Sequence, residues 1–135
     1  MSDKIERPLS PHLQIYRWKL CMLTSILHRF TGVALAAGTV LMTWMLLAAA
    51  TGPGPYEQFT WFCGTYLGQI MLFGWSVALF YHLSNGIRHL LWDMVMFMDK
   101  EKADAAGIVV IIATIIFTAT LWGSIWFLQP LDGYQ

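Results

Sequence analysis

Three long stretches without charged residues restrict the fold of this chain more than any other feature. Residues 30–56, 58–87 and 105–131 contain no Asp, Glu, Lys or Arg, and these runs hold 27, 30 and 27 residues. Each run exceeds the roughly 20 residues that a helix needs to cross a hydrocarbon core about 30 Å thick. Helices satisfy their own backbone polar groups in lipid, so the sequence predicts an all-α membrane protein with three transmembrane helices. The predicted spans lie near residues 30–50, 65–92 and 106–128.

The overall composition agrees with a single membrane domain covering residues 1–135. Hydrophobic residues make up 57% of the chain and charged residues 12%, which is a poor balance for a soluble globule. Eight basic residues are matched by eight acidic ones, so the net charge is zero. Binding to nucleic acid requires a concentrated basic face, and we therefore exclude that class of partner.

The distribution of basic residues predicts the orientation in the membrane. All eight precede the first span, lie at the inner end of the second or lie between the second and third: Lys4, Arg7, Arg17, Lys19, Arg29, Arg88, Lys100 and Lys102. By the positive-inside rule, the N-terminus is cytoplasmic and the C-terminus is external.

The chain before the first span, about residues 1–29, mixes aromatic, basic and apolar residues. This mixture predicts an interfacial segment on the cytoplasmic surface. The first twenty residues mix acids and bases without an apolar core, so we expect no cleaved targeting segment. That favours a bacterial inner membrane, with the mitochondrial inner membrane as the alternative.

One histidine lies deep inside a predicted span. His82 is six residues, or about 9 Å of helix, inward from Arg88. Ala78 and Gly86 lie one turn to either side on the same face, where a flat macrocycle could rest. A histidine that packs against a neighbouring helix is the alternative interpretation. A low-spin b-type haem usually takes two axial nitrogen ligands, so a second ligand would have to come from another chain or from a copy of this one.

Other residues near this histidine have less specific patterns. His89 lies two turns beyond His82, and Asp93 lies one turn further, within reach of a hydrogen bond to the His89 ring. Arg88 and His89 mark the inner end of the span, where they could meet anionic propionates. Small residues in the first span predict a close approach between helices: Gly32, Ala36 and Gly38.

A second polar cluster marks the start of the first span. Ser25 and Arg29 are four residues apart and share a helical face, with His28 beside them. The arrangement fits an ordinary helix entrance, in which Arg29 extends to the headgroups. A hydroxyl and a guanidinium at the membrane surface could equally hold a quinone carbonyl, and the spacing does not decide between the two.

Three segments together resemble a known family. Arg7-Pro8, Ser25–Gly32 (SILHRFTG) and His82–Asp93 (HLSNGIRHLLWD) occur in that order, each of the two longer motifs at the inner end of its span. This pattern is similar to that of the cytochrome b membrane-anchor subunits (b556 or b560 type) of succinate dehydrogenase, respiratory complex II. The resemblance covers nearly the whole chain.

The resemblance implies a specific set of partners and roles. Members of this family share one haem b with a second small membrane subunit, which supplies the other ligand, and dock an iron-sulfur subunit and a flavoprotein subunit. Electrons from succinate then reach ubiquinone, and the anchor has no succinate-oxidising site of its own. Carried over by position, His82 is the axial ligand of the haem iron, and Ser25 and Arg29 contact the quinone. His28, Arg29 and His89 lie near the haem propionates.

Two other functions fit parts of the sequence. One is a purely structural tether without haem, in which His82 is only a packed residue. The other is a small transporter or proton-conducting subunit, suggested by an intramembrane histidine alone. Proton relays usually link several titratable groups, and no acidic residue lies between Glu57 and Arg88, which disfavours transport.

Overall fold

The computed structural model describes residues 18–96 and 99–128, and within these ranges the regular structure is helical, with no β-strand. Three of the helices are long and apolar enough to cross a membrane. The prediction of an all-α chain with three spans is therefore confirmed. The four helices in chain order are α1 (Leu20–Thr51), α2 (Pro53–Gly64), α3 (Tyr66–Asp93) and α4 (Lys100–Leu128).

The first helix begins earlier than the sequence analysis predicted. α1 starts at Leu20, so residues 20–29 form the first turns of the spanning helix and not a separate interfacial segment. No Gly or Pro interrupts this stretch, so the helix continues through it at little cost. At 32 residues, α1 is about 48 Å long and exceeds the hydrocarbon thickness. Residues 1–17, which hold the rest of the predicted interfacial segment, lie outside the described residues.

A sharp break separates α1 from α2. Gly52 has a φ of 131°, a conformation that favours glycine, and Pro53 opens α2 at the first helical position. The helix that follows this break was not predicted from the sequence. α2 packs on the end of α1, where the rings of Phe59 and Phe62 each lie 5.2 Å from that of Trp44.

The third helix packs against both other spans. A Cβ at Gly38 of α1 would overlap the Trp75 ring of α3, so the missing side chain permits the close approach that was predicted for this residue. Ala36, predicted to act in the same way, is instead exposed. Near the other end of the bundle from His82, the Trp122 indole of α4 donates to Ser76 Oγ at 3.0 Å.

Polar side chains are concentrated inside the bundle, and large apolar side chains cover much of its outside. This is the pattern of a chain whose outer surface faces lipid or other membrane helices. The buried polar residues are Thr24, Ser76, Asn85, Arg88, Thr114 and Thr118. Thr24, Asn85 and Arg88 lie at the same end of the bundle as His82.

Candidate functional site

The centre of the site is a pair of stacked imidazoles. His82 of α3 and His28 of α1 are both half-buried, with ring centroids 3.9 Å apart and ring planes inclined by 16°. The two predicted site residues therefore lie in direct contact although they belong to different spans. The stack joins the motif at the start of α1 to the motif at the end of α3.

One nitrogen of His82 has two partners on α1. The Nδ1 atom lies 3.2 Å from the carbonyl oxygen of His28 and 3.2 Å from the hydroxyl oxygen of Thr31. The Thr31 hydroxyl also lies 2.9 Å from the carbonyl oxygens of Leu27 and His28, one turn earlier in its own helix. No residue in the described ranges forms a hydrogen bond with Nε2 of His82.

Gly32 lets the His82 ring lie against the backbone of α1. A Cβ at Gly32 would be 3.2 Å from Cε1 of His82, tighter than an ordinary van der Waals contact. The prediction of close approach at this glycine is thus confirmed. Ala78, predicted to share an open face with His82, is only 6% exposed because the chain's own helices cover it. A macrocycle therefore cannot rest on Ala78, whereas Gly86 remains partly exposed.

A third imidazole completes the cluster. The His89 ring lies 5.2 Å from that of His28 and meets the edge of Trp92 at 5.3 Å. Asp93 is exposed, and no hydrogen bond links it to His89, contrary to the expectation from their spacing. Within residues 18–96 and 99–128, no group of three His, Cys, Asp or Glu side chains is arranged to hold a metal ion by itself.

Ser25 and Arg29 lie on α1 beside this cluster. Ser25 is half-buried and Arg29 is exposed. In the part of the chain that the structure describes, neither side chain forms a hydrogen bond or ion pair. A hydroxyl and a guanidinium on one helical face are therefore open to a molecule from outside this chain.

The Arg88 guanidinium points into the bundle. The residue is 4% exposed, and its two terminal nitrogens donate to Thr24 Oγ1 at 2.9 Å, Asn85 Oδ1 at 3.3 Å and the carbonyl of Ala103 at 2.8 Å. It also lies over the Trp92 ring, 4.1 Å from the centroid, in a cation–π contact. The guanidinium is thus held by α1, α3 and α4 together.

This position disagrees with the expectation that Arg88 meets haem propionates, since the residue is buried and both of its terminal nitrogens donate inside the chain, while Nε is buried without a partner in the described residues. The sequence analysis missed the polar cluster around it, which also includes a Tyr81 hydroxyl that donates to the Thr24 carbonyl at 2.9 Å. A signal was present, because Tyr81, Asn85 and Arg88 follow one another at spacings of four and three residues. That spacing places polar groups along one helical face.

Comparison with known proteins identifies the family. The sequence profile of the succinate dehydrogenase/fumarate reductase transmembrane subunit matches residues 3–121. The succinate dehydrogenase cytochrome b556 subunit of Paracoccus denitrificans is 46% identical over 82% of this chain and 85% of its own length. The Rickettsia felis cytochrome b556 subunit is 39% identical over 87% of this chain and 91% of its own. The mitochondrial succinate dehydrogenase cytochrome b560 subunit of Sus scrofa is 41% identical over 85% of this chain and 69% of its own length. The chain therefore belongs to the family of succinate dehydrogenase/fumarate reductase transmembrane subunits.

Proposed function

We propose that this chain is the haem b-binding membrane anchor of a succinate:ubiquinone oxidoreductase. The observation that carries the proposal is the state of His82, whose Nδ1 has two partners on α1 while Nε2 has none in the described residues. An imidazole held in this way presents one nitrogen to a metal. The word cytochrome in the names of the relatives supports the same assignment.

The residues around His82 suit a shared haem. His82 is the ligand from this chain, and a second small membrane subunit supplies the other axial ligand. His28 Nδ1 is buried without a partner in the described residues, and the Arg29 guanidinium is exposed nearby along α1. The Arg29 guanidinium and the His89 ring, which contacts His28, are available to carboxylates at the edge of a macrocycle. The haem, when bound, supplies one-electron chemistry.

Ser25 and Arg29 form part of the quinone site in this proposal. Their side chains have no partner in the described chain, and they share the cytoplasmic end of α1. Reduction builds negative charge on the quinone oxygens, which a hydroxyl donor and a guanidinium stabilise. An iron-sulfur subunit docked at this end would deliver the electrons, with a flavoprotein subunit behind it that oxidises succinate.

The proposed orientation follows from the basic residues. With the N-terminus and the connection between α3 and α4 on the cytoplasmic side, the imidazole cluster and the pair Ser25 and Arg29 lie at the end of the bundle where the soluble subunits dock. We place the complex in a bacterial inner membrane.

Reporter fusions test this orientation. A reporter placed after Gln135 is expected to be external and one near Lys100 cytoplasmic, because Lys and Arg are confined to the segment before the first span, the inner end of the second span and the connection that follows it. Protease accessibility of the same sites provides an independent check. The reverse result at either site would contradict the proposed topology.

Purification of the tagged chain from its native membrane tests the function. We expect a second small membrane protein, an iron-sulfur protein and a flavoprotein to copurify, and we expect a b-type reduced-minus-oxidised difference spectrum. An intact four-protein complex without haem would instead support the purely structural tether. Purification without any of the redox subunits would contradict the proposal as a whole.

A further inference from the structure

The two partners of His82 Nδ1 determine which nitrogen of the ring carries hydrogen. One partner is the carbonyl oxygen of His28, at 3.2 Å. A carbonyl oxygen has no hydrogen to donate, so this contact is a hydrogen bond only if Nδ1 is the donor. The geometry of the helix backbone therefore favours a proton on Nδ1.

The second partner leads to the same tautomer. The Thr31 hydroxyl has a single hydrogen, and it lies 2.9 Å from two backbone carbonyl oxygens that can only accept it. Once that hydrogen is directed to Leu27 or His28, the hydroxyl oxygen can only accept from His82 at 3.2 Å. Both contacts thus place the hydrogen on Nδ1 and leave the lone pair on Nε2.

The same turn of α1 also holds the ring in position. The His28 imidazole stacks on His82 at 3.9 Å, and Gly32 leaves room for Cε1 of His82 against the helix. Residues 28–32, which we call the α1 socket, therefore contact His82 by stacking, by close approach and by hydrogen bonding. Within this socket, the only side-chain hydrogen-bonding group that reaches His82 Nδ1 is the hydroxyl of Thr31.

We propose that Thr31 is a positioning residue for the haem ligand: its hydroxyl oxygen accepts from Nδ1 of His82 and keeps Nε2 directed and deprotonated for iron. This inference rests on the proposed function, in which His82 is the axial ligand. A hydrogen bond at the far nitrogen increases the basicity of a ligating imidazole. A more basic ligand stabilises the oxidised iron relative to the reduced iron, so Thr31 lowers the reduction potential of the haem.

Thr31→Val removes the hydroxyl and keeps the branched shape of the side chain. We expect the variant complex to contain haem with a higher reduction potential. One net hydrogen bond corresponds to roughly a threefold to tenfold change in an equilibrium constant. For a one-electron couple, a tenfold change in the equilibrium constant corresponds to a shift of about 59 mV in the reduction potential. Redox titration of the haem absorbance measures the shift, and the g values of the oxidised haem in electron paramagnetic resonance report the change in the ligand.

Two matched variants separate this role from packing. Thr43 of α1 is exposed, and its hydroxyl donates to the Thr39 carbonyl at 2.8 Å in the same manner as Thr31, but within the described residues no hydrogen bond joins it to another helix. Thr43→Val should therefore leave the haem reduction potential and the g values of the oxidised haem unchanged. Thr31→Ser retains the hydroxyl and should keep both close to the parent values. The proposal would be overturned if the haem of Thr31→Val had the same reduction potential and the same g values as the haem of the parent complex.

A failure of haem incorporation is also informative. Loss of haem in Thr31→Val, with normal haem in Thr31→Ser, would support the role of the hydroxyl. Loss in Thr31→Ser, with or without loss in Thr31→Val, would overturn it, since a hydroxyl at this position would then not be sufficient and the packing of the side chain would be the requirement. Retention of an unchanged haem in His82→Ala would instead refute the proposed function on which the inference rests, so the two failures are distinguishable.

Discussion

His82→Ala is expected to abolish or strongly weaken the b-type difference spectrum of the complex. Alanine provides no donor nitrogen, and no other imidazole in the described residues has its Nδ1 held by acceptors on a neighbouring helix as His82 has. One of the two axial ligands would therefore be lost. The reduced-minus-oxidised spectrum and the haem content per flavin of the purified complex measure the effect.

His89→Ala is the matched control, since it removes an imidazole from the same helix and the same cluster. Within the described residues the His89 ring has ring contacts with His28 and Trp92 and no hydrogen bond, so we expect a milder effect, with haem retained. If His89→Ala lost the haem and His82→Ala kept it, the two assignments would have to be exchanged.

Ser25→Ala and Arg29→Ala are each expected to lower succinate-to-quinone reduction severalfold or more. Both side chains are without partners in the described chain, so the loss would act on the bound quinone and not on a hydrogen bond within the protein. A hydrogen bond involving a charged group contributes about 1.5 kcal/mol or more, which corresponds to about tenfold in rate when it acts only in the transition state. The measurement is quinone reduction by membranes that contain each variant.

Succinate oxidation by an artificial acceptor, measured on the same membranes, is the internal control. That acceptor takes electrons from the soluble subunits, and its reduction should stay near normal. Lys19→Ala removes an exposed cation just before α1 and should leave both activities unchanged. Equal loss of both activities in Ser25→Ala or Arg29→Ala would indicate defective assembly. Normal quinone reduction in both variants would return these residues to the role of a helix entrance.

The spans were predictable because the physical requirement is simple. Lipid excludes charge, so three uncharged runs of sufficient length identify three helices without any knowledge of their contacts. The predicted ends near residues 92 and 128 agree with α3 and α4, which end at Asp93 and Leu128. The predicted start of the first span lies later than the start of α1 because Arg29 ended the uncharged run. A helix continues through a charged residue wherever water or headgroups can solvate it.

Tertiary contacts explain what the sequence did not reveal. α2 contains two prolines and two glycines, which favour a loop, but Phe59 and Phe62 pack against Trp44 and stabilise a helix. The direction of Arg88 was also unpredictable from spacing alone. Its acceptors include Thr24 and the Ala103 carbonyl, which are distant in sequence and belong to other helices.

The residues of the candidate site could be proposed from the sequence, but their arrangement could not. His82, His28, Ser25 and Arg29 all lie near the same end of α1 and α3. The contact between His82 and His28, and the bond to Thr31, depend on the approach of α1 to α3 at Gly32. A single sequence contains no direct record of which faces of two helices meet.

The position of Arg88 has a consequence for the biogenesis of the protein. A nascent chain that has threaded only α1 and α3 into the bilayer lacks the Ala103 carbonyl, the only acceptor that α4 provides for this guanidinium within the described residues. Until α4 arrives, part of a permanent positive charge has no protein acceptor, and desolvating it is unfavourable. The burial of the Arg88 guanidinium on α3 is therefore energetically coupled to the packing of α4.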